Sequence, residues 1–320
     1  MNLKKIFFIA FLFLISLSMK ASFVLIPMDA ETQNDHLKAY GITYWVLENG
    51  QKVNWLLNYR GGSFMIPDSE RLRKECTIRG VSFEVISNAE AETILSGIDS
   101  PSQNQESVLL EKAPKIAVYT PTGKKPWDDA VTLVLTYAEI PYKTVYDKGV
   151  LNDELLLYDW LHLHHEDFTG QYGKFYRAYR SAPWYIQEKK EAEELAQSLG
   201  YDKVSEEKLA VAKNVRDYVI GGGFMFAMCS ATDSFDIALS AANVDICESM
   251  FDGDPSEPGY QNKIDYDKTF AFEDYILEKS PMVYEFSSID MTRKRNVPKE
   301  QDYFTLMEFS AKWDPIPTML

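Results

Sequence analysis

The sequence predicts an α/β protein, a doubly wound parallel sheet preceded by a smaller α/β region. Three observations carry this. The apolar period switches repeatedly between strand-like and helix-like, so the two element types alternate along the chain. Segments such as 224–228 (FMFAM) are near-continuously apolar, the pattern of strands buried on both faces. Glycines stand where the helical patterns should stop.

Residues 22–27 (SFVLIP) read as the first strand. Over 33–48, Leu37, Tyr40, Tyr44 and Leu47 fall at helical spacing and Gly50 follows as a stop. Residues 53–59 (VNWLLNY) read as a strand ended by Arg60, Gly61 and Gly62. Pro67, Asp68 and Ser69 open a helix that Gly80 closes; 81–86 is then a strand and 88–95 a short helix. The N-terminal region is thus 22–98, and the polar stretch 99–114, with Pro101 to Gln105, reads as a linker.

A second series begins at 115–119 (KIAVY), a strand followed by a helix over 127–140. Strands are expected at 142–146 and 156–164 (LLYDWLHLH), and helices at 183–199 and 205–219, stopped by Gly200 and by Gly221-Gly222-Gly223. The strand 224–228 enters a turn at Cys229-Ser230, a helix follows over 232–239, and 243–247 reads as a short strand. The two series look distantly alike, as a duplication would. Residues 115–250 are the second domain. Residues 251–320 form a loop-rich extension that looks incomplete, with strands expected at 270–277 and 282–286.

Composition narrows the function classes. Aromatics at 13% exclude disorder for most of the length. A formal charge of −15 repels phosphate backbones, so no nucleic-acid partner is expected. Three cysteines exclude a disulfide-dense scaffold and an all-thiolate structural zinc site. Residues 1–21 read as a signal peptide: Lys4 and Lys5, an apolar run over 6–17, and Ala21 before Ser22. The expected protein is therefore exported, periplasmic or secreted, with no membrane span once the leader is cleaved. Cleavage removes three lysines and no acid, moving the formal charge to −18.

Four constellations hold candidate chemistry. A strand running through Cys229 into a helix sets the thiol at the carboxyl edge of the sheet, where doubly wound folds bind ligands. Helix N-terminal N–H groups there favour a nucleophilic thiolate, although buried packing is the commoner fate of a cysteine. In the second, His162, His164, His165, Glu166 and Asp167 gather three of the four histidines at the end of the expected strand. Alternation puts Tyr158, Trp160, His162 and His164 on one face. His164 or His165 would serve as base with Glu166 as its orienting acid; His162, His164 and Asp167 would serve as ligands if a divalent metal bound. Histidines packed between sheet and helix are the structural alternative. Third, Trp127-Asp128-Asp129 offers acids that either cap a helix or wall the edge cleft. Fourth, the ring-rich stretch 168–180 is either a lid suited to sugars or peptides or part of the core.

Strand KIAVYTP, the helix after Pro126, the strand ending in His164-His165-Glu166-Asp167, and Gly-Gly-Gly-Phe entering Cys229 together resemble the class I glutamine amidotransferase-like domain, which is flavodoxin-like. More narrowly, LHLHHEDFTGQYGKFY, GGGFMFAMCSATDSFD and FSAKWDP resemble a group of exported bacterial proteins labelled asparagine synthetase B. Similar domains accompany secreted zinc carboxypeptidases as non-catalytic partners. Ala227 and Ala231 stand where the amidotransferase elbow has glycines, and no histidine follows His165. Asn2 stands where an asparagine synthetase of that type needs cysteine, and its phosphate loop is absent. The resemblance therefore implies a non-catalytic binding or scaffold module for a small molecule, peptide or glycan, with no cofactor expected. The alternatives are a hydrolase or amidotransferase using Cys229, and a metal-dependent hydrolase at His162, His164 and Asp167.

Overall fold

The computed structural model describes residues 22–121, 130–290, 298–301 and 310–312. The expected signal segment, residues 127–129 and most of the FSAKWDP motif lie outside them. Two compact units result, one built mainly on 22–113 and the other mainly on 114–121 and 141–290. No helix among the described residues is long and apolar enough to cross a membrane.

The first unit comprises β1 (Ser22–Ile26), α1 (His36–Glu48), β2 (Val53–Leu57), β3 (Ser63–Pro67), α2 (Glu70–Arg79), β4 (Glu84–Ser87), α3 (Asn88–Ile98) and β5 (Glu106–Leu110). Its helices start where side chains satisfy free backbone N–H groups: Asp35 accepts from Lys38 N, Ser69 from Leu72 N, and Ser87 with Glu90 makes a capping box. One sheet face buries Val24, Phe64 and Ile66 with Ile42 and Val46 of α1 and Leu72 of α2; the other buries Leu25, Leu56 and Met65 with Ala91 and Ile98 of α3.

This sheet is antiparallel throughout, in the order β4-β1-β3-β2-β5, which corrects the parallel expectation for this region. The cause is β3, where the sequence reading assigns no strand. It follows the Arg60-Gly61-Gly62 turn directly and slides between β1 and β2, which would otherwise have paired in parallel. Residues 106–110 of the expected linker are β5, an edge strand on β2. The polar run before it hides a strand of only five residues.

The second unit comprises β6 (Ile116–Tyr119), α4 (Ala130–Ala138, whose last turns group with the first unit), β7 (Tyr142–Val145), α5 (Asp147–Leu151), β8 (Trp160–Leu163), α6 (Tyr176–Tyr179), α7 (Pro183–Ser198), α8 (Val204–Ile220), β9 (Phe224–Ala227), α9 (Ala231–Ser240) and α10 (Ser249–Asp252). Its sheet is parallel, in the order β7-β6-β8-β9. Ala117, Tyr119, Leu161 and Leu163 share a core with Val211, Ala212 and Val215 of α8 and Phe235 and Leu239 of α9.

Three details depart from the sequence reading. β9 is an edge strand, and Phe226 is 48% exposed, so near-continuous apolar character there does not mean cover on both faces. The strand expected at 156–164 is only Trp160–Leu163; Leu156 and Leu157 lie in a 3-10 turn and are exposed. Residues 243–247, 270–277 and 282–286 form no strands, only an isolated bridge between Leu277 and Ser287.

These burial differences set a test. Leu161→Ala, at a fully buried position of β8, should lower the unfolding free energy by about 2–5 kcal/mol in urea titration. Leu156→Ala, at a position 75% exposed, should change it by less than about 0.5 kcal/mol.

Candidate functional site

The parallel register fixes what reaches the carboxyl edge of the second sheet. Val118 lies beside His162, and Leu163 beside Ala227, so the segments after β6, β8 and β9 leave at one rim. Cys229 and the His164–Asp167 segment are therefore neighbours, as the sequence predicts. They are laced through backbone: Met228 N donates to Leu163 O at 3.1 Å, Ala231 N to His164 O at 3.4 Å, and Ser230 Oγ to His165 O at 2.8 Å. Ser234 Oγ of α9 donates to Glu166 O at 3.0 Å.

Cys229 is exposed and holds φ at +55°, the left-handed region that non-glycine residues rarely adopt. Strand-to-helix elbows that present a nucleophile carry such strain. Among the described residues, however, no imidazole nitrogen bonds the Cys229 sulfur. His164 Nδ1 and His165 Nδ1 stand 3.1 Å apart.

The remaining candidates have local tasks. His162 is 4% exposed and stacks on Phe226 across the strands, with ring centroids 5.5 Å apart. Glu166 Oε2 accepts from His164 N at 3.0 Å. Asp167 accepts from Thr169 N at 2.7 Å, Thr169 Oγ1 at 2.6 Å and Gly173 N at 3.0 Å, so its carboxylate shapes the loop that follows β8. His162, His164 and Asp167 are not among the converging ligand sets of the described residues. Among the described residues the converging set is Asp245, Cys247 and Asp252.

The same rim holds a cavity of about 580 Å³. Pro121, after β6, and His165, Glu166 and Asp167, after β8, form one side. Tyr172, Gly173 and Phe175 of the ring-rich loop and Tyr185, Glu188 and Lys189 of α7 form much of the rest. The ring-rich stretch divides between both expected fates: Phe168 is wholly buried and stacks on Tyr119, while Tyr172 and Phe175 face the cavity. Gly170, at φ +79°, allows the loop to press on α8, because a Cβ there would lie 2.7 Å from Ser205 N. His162, His164 and Cys229 are not in the lining.

A buried ionic knot that the sequence reading missed underlies this cavity. Lys208 Nζ of α8 donates to Asp147 Oδ1 at 2.8 Å and Oδ2 at 2.6 Å, to Tyr119 OH at 3.0 Å and to Tyr146 OH at 3.2 Å. Tyr119 OH also donates to Asp147. Lys208 and Tyr146 reach the cavity wall. Burial disfavours the ammonium, but the phenols and acids around it outweigh that and keep Lys208 charged. Glu207, 1% exposed, stands next to the same Asp147; burial and then that carboxylate push it up to about 7, against the pull of Lys208. The helical period could have revealed both charges, since Val204, Glu207, Lys208, Val211 and Val215 form one buried stripe. A second acid behaves alike: Asp233 of α9, 4% exposed, is raised to about 7, first by burial and then by Asp290 and Asp167.

The sign of the pH effect follows. A folded-state pKa of about 7 for Glu207, against about 4.3 in the unfolded chain, means the native protein holds a proton that the unfolded chain releases. Its contribution to stability is therefore greatest below the lower value and is lost as pH rises to the upper one. Glu207→Gln should flatten the fall in stability across that window relative to wild type, read by urea titration at a series of pH values; an unchanged slope would place Glu207 at an ordinary pKa.

Comparison with family models, with curated proteins and with solved structures found no match to this chain.

Proposed function

We propose that the second unit is a flavodoxin-like, glutamine amidotransferase-like domain that acts as a non-catalytic binding module of an exported protein, and that it takes a glycan or peptide fragment in the rim cavity. One observation carries the reading. In the strand order β7-β6-β8-β9 the chain direction of winding reverses between β6 and β8, and the cavity opens outside their carboxyl ends. Open α/β sheets bind ligands at that switch point. Renumbered within the unit, the order is 2-1-3-4, which agrees with the first four strands of a flavodoxin-like sheet.

The lining supports the ligand class. Tyr146, Tyr172, Phe175 and Tyr185 offer ring faces for sugar C–H groups or peptide side chains, and Glu188 and Glu191 offer acceptors for hydroxyl or ammonium donors. The thiol-dependent reading, with Cys229 as nucleophile and His165 or His164 as base, ranks second. It is favoured by the exposed sulfur on a left-handed elbow residue.

Binding of neutral and amino-bearing oligosaccharides, measured by calorimetry, tests the first reading. Tyr172→Ala should weaken the bound sugar by about tenfold or more, and alkylation of Cys229 should leave affinity unchanged because the thiol is outside the lining. Binding that survives Tyr172→Ala, or is lost on alkylation, counts against this cavity. Ammonia release from glutamine that disappears in Cys229→Ala would reverse the ranking of the two readings.

A further inference from the structure

A second constellation lies among α8, α10 and the segment after α9. Asp245, Cys247 and Asp252 hold two carboxylate oxygens and a thiol sulfur within 4.8 Å of one another. The Cys247 backbone N donates to Asp245 Oδ1 at 2.9 Å, which holds the Asp245 carboxylate beside this segment. The Cys247 thiol is buried and reaches Thr169 O at 3.2 Å. The Asp252 side chain is only 6% exposed; its Oδ2 pairs with Lys203, while its Oδ1 is shut off from solvent without a hydrogen-bond donor. One ammonium faces the whole group: Lys203 Nζ lies 2.9 Å from Asp245, 3.0 Å from Asp252 and 2.6 Å from Asp254. Three carboxylates thus share a single positive charge. A cavity of about 210 Å³ adjoins them, with Lys203, Asp245 and Cys247 in its wall.

We propose that this is a binding site for a thiophilic divalent cation of the zinc class, held by Asp245, Cys247 and Asp252, with water from the cavity in the fourth position. A buried carboxylate oxygen without a donor, a converging thiol and three carboxylates sharing one ammonium are together what such an ion would satisfy. Mixed sulfur and oxygen donors suit a borderline-soft ion and disfavour calcium or magnesium, and three protein ligands with an open position fit tetrahedral zinc. On binding, Cys247 Sγ releases its proton to solvent and its hydrogen bond to Thr169 O, and the metal–sulfur bond forms. Lys203 leaves Asp245 and Asp252 and keeps its pairing with Asp254. This site is separate in its residues from the switch-point cavity and does not depend on the ligand proposed for it.

The test uses the full chain carrying Cys229→Ser, so that the exposed thiol is silent. Cadmium is titrated while the sulfur-to-metal ultraviolet absorption is followed, and zinc affinity is measured by equilibrium dialysis. The band should saturate at one cadmium per chain. Cys247→Ser should abolish the band, and Asp252→Asn should weaken zinc binding by about tenfold or more. Lys203→Met, which removes the competing ammonium and no ligand, should tighten zinc binding. A titration without a saturating band, a band that persists in Cys247→Ser, or weaker zinc binding in Lys203→Met would overturn the proposal.

Discussion

The buried pair of Lys208 and Asp147 is the constraint on which the second unit depends. It ties three elements that meet at the carboxyl edge: Tyr119 closes β6, Asp147 opens α5 just after β7, and Lys208 comes from the second turn of α8. Side-chain exposures of 8% and 2% leave neither partner a way back to water. Removing one partner of such a pair typically costs about 3–5 kcal/mol, because the other stays charged and buried. Both carboxylate oxygens and both phenols are engaged, so the penalty of burial is answered by hydrogen bonds as well as by charge. The knot also supplies part of the cavity wall. The interaction that holds the sheet edge together therefore sets the shape of the proposed binding site.

Much of this edge was legible in the sequence, and the reasons are local. Trp160 to Leu163 alternates, and the structure follows: Leu161 and Leu163 enter the core while Trp160 and His162 face Phe224 and Phe226. Gly221 to Gly223 end α8, and the chain then runs through β9 into the Cys229 turn. Adjacency of the thiol and the His164–Asp167 segment needed only two neighbouring parallel strands. The side chains that matter for the cavity were harder to see. Asp147 and Lys208 are 61 positions apart, and nothing in either local pattern names the other. Lys208 sits on a buried helical stripe, so its burial was readable, but its partner was not.

Elsewhere the legibility failed where backbone groups are satisfied by side chains instead of ladders. Residues 270–277 look strand-like, yet Asp236 of α9 accepts from the backbone N–H groups of Phe270, Ala271 and Phe272 at 2.8, 2.8 and 3.0 Å. Ser288 Oγ accepts from Ile276 N, and Gln261 Oε1 from Leu277 N. Apolar side chains of that region pack as a separate cluster of Ile237, Tyr275, Leu277 and Phe286. Their spacing reports this irregular packing, not a period-two strand, and pattern reading cannot separate the two. The same limit hid β3, whose five residues lie directly after a turn.

Charge decides which ligands the switch-point cavity can take. In open parallel α/β sheets that position commonly receives a phosphate-bearing group, but here both lysines in the wall are committed. Lys208 is held by Asp147 and two phenols. Lys189 donates to Met250 O at 2.8 Å and lies 5.2 Å from the centre of the Tyr172 ring. Glu166, Asp167, Glu188 and Glu191 keep the wall acidic. A phosphate entering would meet carboxylates without an uncommitted lysine in the wall to balance it, whereas a neutral group would meet no like charge and a cationic one would have its desolvation offset by pairing with them. Ring faces beside acidic acceptors are what a carbohydrate with exposed hydroxyl or amino groups can use. The fold thus supplies the location of the cavity, and the prior commitment of its two lysines selects against the ligand that location most often binds.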